Sequence, residues 1–191
     1  MLSFPEFRKE IIKYCVLMYE KNYVVASDGN VSVRISEGHF LITPSGKRKS
    51  ELEYKDLMVI DKEGNVIEGN FTPSTEMWMH IWIYEMRPDV NAVIHAHPPY
   101  STAFSFQMPR EYVPQLPEIE SLVGKIGFVP YREAGSLELA KLVKEKITEH
   151  NGLILQKHGV VVVGHNLEES FNRLERMEFE FKIKSLRESF R

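Results

Sequence analysis

The chain has 191 residues, 43% apolar and 27% charged, with a formal net charge of −3. That balance suits a soluble globular unit with a substantial core and gives no electrostatic reason to expect nucleic acid or an anionic membrane as partner. The lone cysteine, Cys15, excludes an intrachain disulfide; with no apolar leader at the N-terminus and no run of roughly 20 apolar residues, the expectation is a cytoplasmic protein that does not span a bilayer.

Residues 5–21 read as a helix, with Pro5 in its first turn and Phe7, Ile11, Tyr14, Cys15 and Met18 on one face. Asp28, Gly29 and Asn30 form a turn, and 31–35 alternate as a strand whose hairpin partner is 39–43. A loop opens at Pro44, Ser45 and Gly46, and 57–61 are another strand ending in a turn at 62–65. Thr72, Pro73 and Glu76 read as cap, first position and first-turn acid of a helix running to about Met86. Residues 91–97 are a strand stopped by Pro98 and Pro99, and a short helix follows from Ser101.

A proline-interrupted segment, 109–117, leads to 118–123, and 126–130 are a short strand. Ser136 caps a helix over 136–149, and 153–156 and 160–163 are two further strands. The chain ends in a long helix, 167–190, opened by Asn166, Glu168 and Glu169; its pairs Glu178 with Lys182 and Glu180 with Lys184 are most simply a solvated face. Short strands, hairpins and interspersed helices argue for a layered α/β unit with a largely antiparallel or mixed sheet.

Within this frame His95 and His97 share one face of a strand, because side chains alternate with a period of two. Two such rings can occupy adjacent corners of a tetrahedral metal site. His158 ends a second apolar strand and precedes Gly159, where backbone can approach closely. Three histidines with a fourth position open form a catalytic rather than a structural zinc pattern. A single histidine beside an apolar strand is nevertheless more often an ordinary core or surface residue, and spacing alone does not join His158 to the pair. Glu76 and His80, four apart on a helix, lack the second histidine of a zinc-protease motif.

Three segments carry phosphate-binding residue types. Gly29, Asn30 and Ser32 offer an amide and a glycine turn; Thr43, Ser45 and Gly46 offer hydroxyls and an unhindered backbone; Ser74 and Thr75 sit at a helix start, where N–H groups and the dipole attract anions. Each alone is ordinary turn and cap chemistry, and Lys47, Arg48 and Lys49 read as a solvated loop.

In order, the segments are Gly29-Asn30-x-Ser32, Thr43-Pro44-Ser45-Gly46, Ser74-Thr75-Glu76, His95-x-His97, Pro130-Tyr131 and His158-Gly159. That series resembles the class II aldolase/adducin family, in particular its fuculose-1-phosphate-aldolase-like members, over about residues 5 to 180. The resemblance implies a three-layer α/β/α fold around a mixed, largely antiparallel sheet, one such domain over residues 1–191, and a homotetramer with active sites at subunit interfaces. It implies one Zn²⁺ per chain on His95, His97 and His158, Glu76 as general base, and Asn30, Ser45, Gly46, Ser74 and Thr75 around the phosphate of a phosphorylated sugar.

The implied reaction is reversible cleavage of a ketose 1-phosphate to dihydroxyacetone phosphate and an aldehyde. One position departs: where the resemblance leads one to expect a proton-donating tyrosine from the neighbouring subunit, Glu118 stands, and Tyr112 is the nearest tyrosine. A glutamate there also resembles the methylthioribulose-1-phosphate dehydratase branch. A pentulose-phosphate 4-epimerase ranks lower, because that branch carries an aspartate at the place of Glu76. A noncatalytic adducin-like module lacks the three histidines.

Overall fold

The computed structural model describes residues 2–107, 109 and 111–190. Phe4 adopts a left-handed conformation that turns the chain into α1 (Pro5–Glu20), with Pro5 at its start. β1 (Asn30–Ser36) and β2 (His39–Ile42) form the expected hairpin, and β2 pairs with β3 (Met58–Asp61). A short strand that sequence periodicity does not mark, β4 (Val66–Glu68), closes this edge of the sheet. α2 (Met77–Met86) leads to β5 (Ala92–Ala96) and α3 (Pro99–Phe104).

β6 (Glu111–Tyr112) precedes α4 (Pro117–Val123) and β7 (Ile126–Val129). α5 (Leu137–Lys146), β8 (Gly152–Leu155), β9 (Gly159–Gly164) and α6 (Leu167–Ser189) complete the chain. The cap readings hold: Ser136 Oγ accepts from the Leu139 N–H and Asn166 Oδ1 from the Glu169 N–H.

All nine strands join one sheet in the order β4-β3-β2-β1-β5-β9-β8-β7-β6. Only β7 and β8 run parallel among the described pairings; the rest are antiparallel. The central strands are apolar on both faces because helices cover both. Ile94, Ala96, Val160 and Val162 pack toward α1, α3, α4 and α6, whereas Val93, Val161 and Val163 pack toward α2 and α5. The fold is thus the three-layer α/β/α arrangement with a mixed, largely antiparallel sheet. α6 contributes a stripe of Leu167, Phe171, Leu174, Met177 and Phe181 at helical spacing, each buried side chain contributing about 1.5–3 kcal/mol.

Two local readings change. The helix expected from Pro73 begins four residues later, at Met77. Thr72 and Pro73 are instead drawn onto the loop after β2: Pro44 and Pro73 form an antiparallel bridge, and the Ser45 N–H donates to Thr72 O at 2.9 Å. The charges of α6 are also not all solvated. Glu178 accepts from the Tyr100 and Ser101 N–H groups and from Ser101 Oγ, each at 2.8 Å, and so satisfies the start of α3. Glu180 accepts from Tyr112 Oη at 2.7 Å and from the Gln115 N–H at 2.8 Å. Both carboxylates are buried because the facing segments supply donors that would otherwise have none.

Candidate active site

Strand alternation decides which side chains meet. On β1, Val31 and Val33 face the α6 layer, so Asn30 and Ser32 face α2; on β5, Val93 faces the α2 side and His95 follows it. Antiparallel pairing sets Asn30 opposite His95 and Ser32 opposite Val93. α2 lies across this face with His80 and Tyr84 one turn apart, and Glu76 sits at its N-terminal end. Asn30, Ser32, Glu76, His80 and His95 are therefore brought into one buried polar cluster between sheet and helix.

His95 is the penultimate residue of β5, His97 directly follows the strand, and His158 lies in the tight connection between β8 and β9. The two strands are neighbours, with Ala96 paired to Val160, so all three imidazoles converge. One ligand nitrogen from each lies within 4.8 Å of the others, and the ring centroids are 4.7–5.0 Å apart. Gly159 makes the approach possible: a Cβ there would stand 2.4 Å from Ala96 O and 2.5 Å from His97 Cδ2. Gly29, at φ +72°, does the same beneath the strand, where a Cβ would meet His95 O at 2.8 Å.

The donor set fits a metal ion. His95 Nδ1–H donates to Val160 O at 2.9 Å, which turns the lone pair of Nε2 toward the cluster. That Nε2 stands 3.0 Å from His97 Nε2 and 3.2 Å from Glu76 Oε2. Unless neutral His97 carries its own proton on Nε2, acceptors face acceptors here, an arrangement that requires an added proton or a cation among them. A proton is disfavoured: burial, and next the neighbouring His158, hold His95 well below the ordinary histidine range. Burial and the other two rings lower His97 to about 3. Neutral imidazoles are the form a metal takes.

The buried Glu76 Oε1 and His158 Nδ1 find no hydrogen-bond partner among the described residues, and Glu76 Oε1 lies 3.7 Å from His158 Nε2. Asp28 Oδ2 is 3.7 Å from His97 Nδ1, on the side away from His95, where a carboxylate orients a ligand ring.

Glu76 lies at the mouth of this cluster, 8% exposed, and Asn30 Nδ2 donates to its Oε2 at 2.9 Å. Asn30 is only 3% exposed and its carbonyl is engaged by His80, so its amide is turned inward and retains one hydrogen for any ligand. Beside Glu76 the antiparallel Pro44–Pro73 bridge joins the segment of Ser45 and Gly46 to that of Ser74 and Thr75, with Ser45 opposite Thr72 and with Ser45, Gly46 and Thr75 exposed. Lys49, in the loop read as solvated, is buried; its ammonium donates to Ser27 O at 2.8 Å and Lys47 O at 3.0 Å, tying this wall to the turn that carries Asp28.

Tyr112 is not brought to the histidines of its own chain. β6 lies four strands from β5, about 19 Å at ~4.8 Å per strand. The Tyr112 hydroxyl is committed to Glu180, and burial and that carboxylate raise it above the ordinary phenol range. Glu118, exposed, borders a cleft of about 670 Å³ with Lys21, Tyr23, Pro99, Tyr100, Glu175 and Lys182; Tyr23 O accepts from the His97 N–H at 2.8 Å, and none of the three histidines lines the cleft. Asp28 and Tyr84 went unread in the sequence as site residues, and Ser32, read there among phosphate-binding types, is instead buried against His80 and Tyr84. Their only signal is strand parity with Asn30 and helical spacing from Glu76.

The sequence profile described as Class II Aldolase and Adducin N-terminal domain matches residues 9–185. An L-fuculose phosphate aldolase of Methanococcus vannielii is 40% identical over 182 residues, which cover 95% of this chain and 97% of that protein. A 3-oxo-tetronate 4-phosphate decarboxylase of Haemophilus influenzae is 32% identical over 169 residues, 86% of this chain and 80% of that one. A solved L-fuculose 1-phosphate aldolase superposes with a TM-score of 0.91 at 31% identity, over 99% of this chain and 89% of its own. No helix among the described residues is long and apolar enough to cross a membrane.

Proposed function

The chain belongs to the class II aldolase and adducin family and is a lyase, and on that premise we propose that it cleaves a ketose 1-phosphate, of the fuculose 1-phosphate type, to dihydroxyacetone phosphate and an aldehyde. The observation that carries this reading is the convergence of three imidazoles and Glu76 beside the two segments, Ser45–Gly46 and Ser74–Thr75, that the Pro44–Pro73 bridge joins.

His95, His97 and His158 would hold one Zn²⁺ per chain, since three imidazoles with an open position suit that ion. When bound, the ion draws electron density from the ketose carbonyl as a Lewis acid, a contribution of several kcal/mol. Ser45, Gly46, Ser74 and Thr75 take the phosphate and fix the sugar, so that binding energy remote from the reacting carbons orients them. Breaking the bond beyond the carbonyl leaves an enediolate, and Glu76 delivers the proton to its carbon. The same carboxylate removes that proton in the synthetic direction.

Asn30 holds Glu76 from below through its amide hydrogen. The proton of the hydroxyl that becomes the aldehyde oxygen is handled by Glu118, or by Tyr112, of a neighbouring copy in a homotetramer.

The relative that decarboxylates a 3-oxo-tetronate 4-phosphate supports a second reading, loss of CO₂ from a 3-oxo acid phosphate. The carbanion left by that bond cleavage calls for the same cation and the same carboxylate. Metal analysis with a panel of phosphorylated ketoses and 3-oxo acids, following dihydroxyacetone phosphate, CO₂ and water loss separately, decides among them. Release of dihydroxyacetone phosphate with about one zinc per chain is expected. Zinc-loaded protein inert toward every ketose 1-phosphate sinks the aldolase reading, and water loss without carbon–carbon cleavage identifies the dehydratase instead.

A further inference from the structure

Behind Glu76 runs an unbroken chain of buried polar groups that the reaction itself does not use. Tyr84 Oη lies 2.8 Å from Ser32 Oγ, and Ser32 Oγ 2.7 Å from His80 Nδ1. His80 Nε2 then meets Asn30 Oδ1, and Asn30 Nδ2 meets Glu76 Oε2 at 2.9 Å. His80 and Ser32 are fully buried, and Tyr84 is 2% exposed.

The direction of every bond follows from the carboxylate end. An ionised Glu76 can only accept, so the Asn30 amide nitrogen must face it and the Asn30 carbonyl must face His80. His80 Nε2 must then carry the proton and Nδ1 the lone pair. Ser32 therefore donates to Nδ1, and Tyr84 donates to Ser32. Burial, only partly opposed by Glu76, lowers His80 to about 4, so the ring is neutral and both nitrogens keep these opposite roles at physiological pH. Four side chains on two elements thus define one orientation of the Asn30 amide. If that amide flipped, an oxygen would face the carboxylate instead of a donor.

We propose that His80 is a positioning residue: through Asn30 it fixes the rotamer and hydrogen-bonded oxygen of Glu76, with Ser32 and Tyr84 fixing the tautomer of His80 in turn. The inference rests on the reading of Glu76 as the proton-transfer group. It adds that this group is placed by a ring one helical turn away which touches neither substrate nor metal.

Two measurements test it. The ¹⁵N spectrum of histidine-labelled wild-type protein at neutral pH should show His80 protonated at Nε2 and bare at Nδ1. In the zinc-loaded enzyme, His80→Leu should lower kcat about 10–100-fold, the cost of misplacing a reacting group by about 1 Å, with KM within about twofold of wild type and full zinc retained. His80→Gln, whose side-chain amide nitrogen can still donate to Asn30 Oδ1, should recover most of kcat, which a role in packing alone would not produce. A proton on Nδ1, a wild-type kcat in His80→Leu, or no recovery in His80→Gln overturns the proposal. If His80→Leu does not fold, the tautomer and His80→Gln decide. If wild-type enzyme turns over no sugar phosphate, the reading of Glu76 fails, while the spectrum still decides the direction of the chain.

Discussion

At Glu76 a single carboxylate faces two histidine nitrogens on one side and the Asn30 amide on the other. Gln has the same shape and can still accept from Asn30, but it cannot carry the proton. Glu76→Gln should therefore keep about one zinc on the three histidines while kcat falls about 10²–10⁴-fold. Metal content and steady-state kinetics check both halves, and a kcat within tenfold of wild type would remove Glu76 from the proton-transfer step. His80 carries a separate, thermodynamic signature. Its pKa is about 4 in the fold against roughly 6.5 when unfolded, so between those values only the unfolded chain takes the extra proton. Stability is then present above the unfolded pKa and falls on acidification, by up to about 1.4 kcal/mol per pH unit for this one group. Urea unfolding should show about 1.6 kcal/mol lost from this source between pH ~6.5 and ~5. His80→Gln should lose that much less over the same interval, and parallel wild-type and variant curves would contradict a buried neutral ring.

At the scale of the elements, what could be read from the sequence was what local periodicity and capping dictate. The period of two in β5 put His95 and His97 on one face, and Gly159 beside His158 marked a close strand approach. Ser136 and Asn166 cap α5 and α6 as their side chains allow. The close approach makes a direct prediction. Gly159→Ala would place a methyl 2.4 Å from Ala96 O, so β9 must part from β5 at the metal ligands. Zinc affinity should fall by at least about tenfold, measured by competition with a chelator, and an unchanged affinity would show that the strands can yield there.

What could not be read depended on partners distant in sequence. The Thr72–Pro73 pair has the chemistry of a helix start, yet the Pro44 strand end claims it for a bridge and delays α2 to Met77. Glu178 and Glu180, four residues ahead of lysines, look like surface ion pairs. Only the start of α3 and the segment after β6, more than 60 residues away, show why they are buried. Glu178→Ala leaves two N–H groups and a hydroxyl of α3 without their acceptor and should cost about 2–4 kcal/mol in urea unfolding. A loss below about 0.5 kcal/mol would mean that water replaces the carboxylate.

For the whole molecule, the division of the site is what matters. The histidines stand at the central strand β5 and at the β8–β9 connection, with Glu76 beside them, while Tyr112 lies on the edge strand β6, beyond β9, β8 and β7. Large apolar side chains stand in solvent on several elements, among them Phe179 and Leu186, seven apart and so on one stripe of α6. In the proposed homotetramer a ring of copies can bring Glu118 of one to the histidines of the next. Two defective variants then repair one another. Glu76→Gln and Glu118→Gln, each prepared alone, should both be nearly inactive. Co-expressed in equal amounts, they form rings in which a site is intact wherever a subunit retaining Glu76 adjoins one retaining Glu118. With random assembly that is about a quarter of the sites, so about a quarter of wild-type kcat should return. Activity no greater than the sum of the two variants would place the second proton group within the same chain as Glu76. Near-wild-type activity of Glu118→Gln alone would take Glu118 out of the reaction.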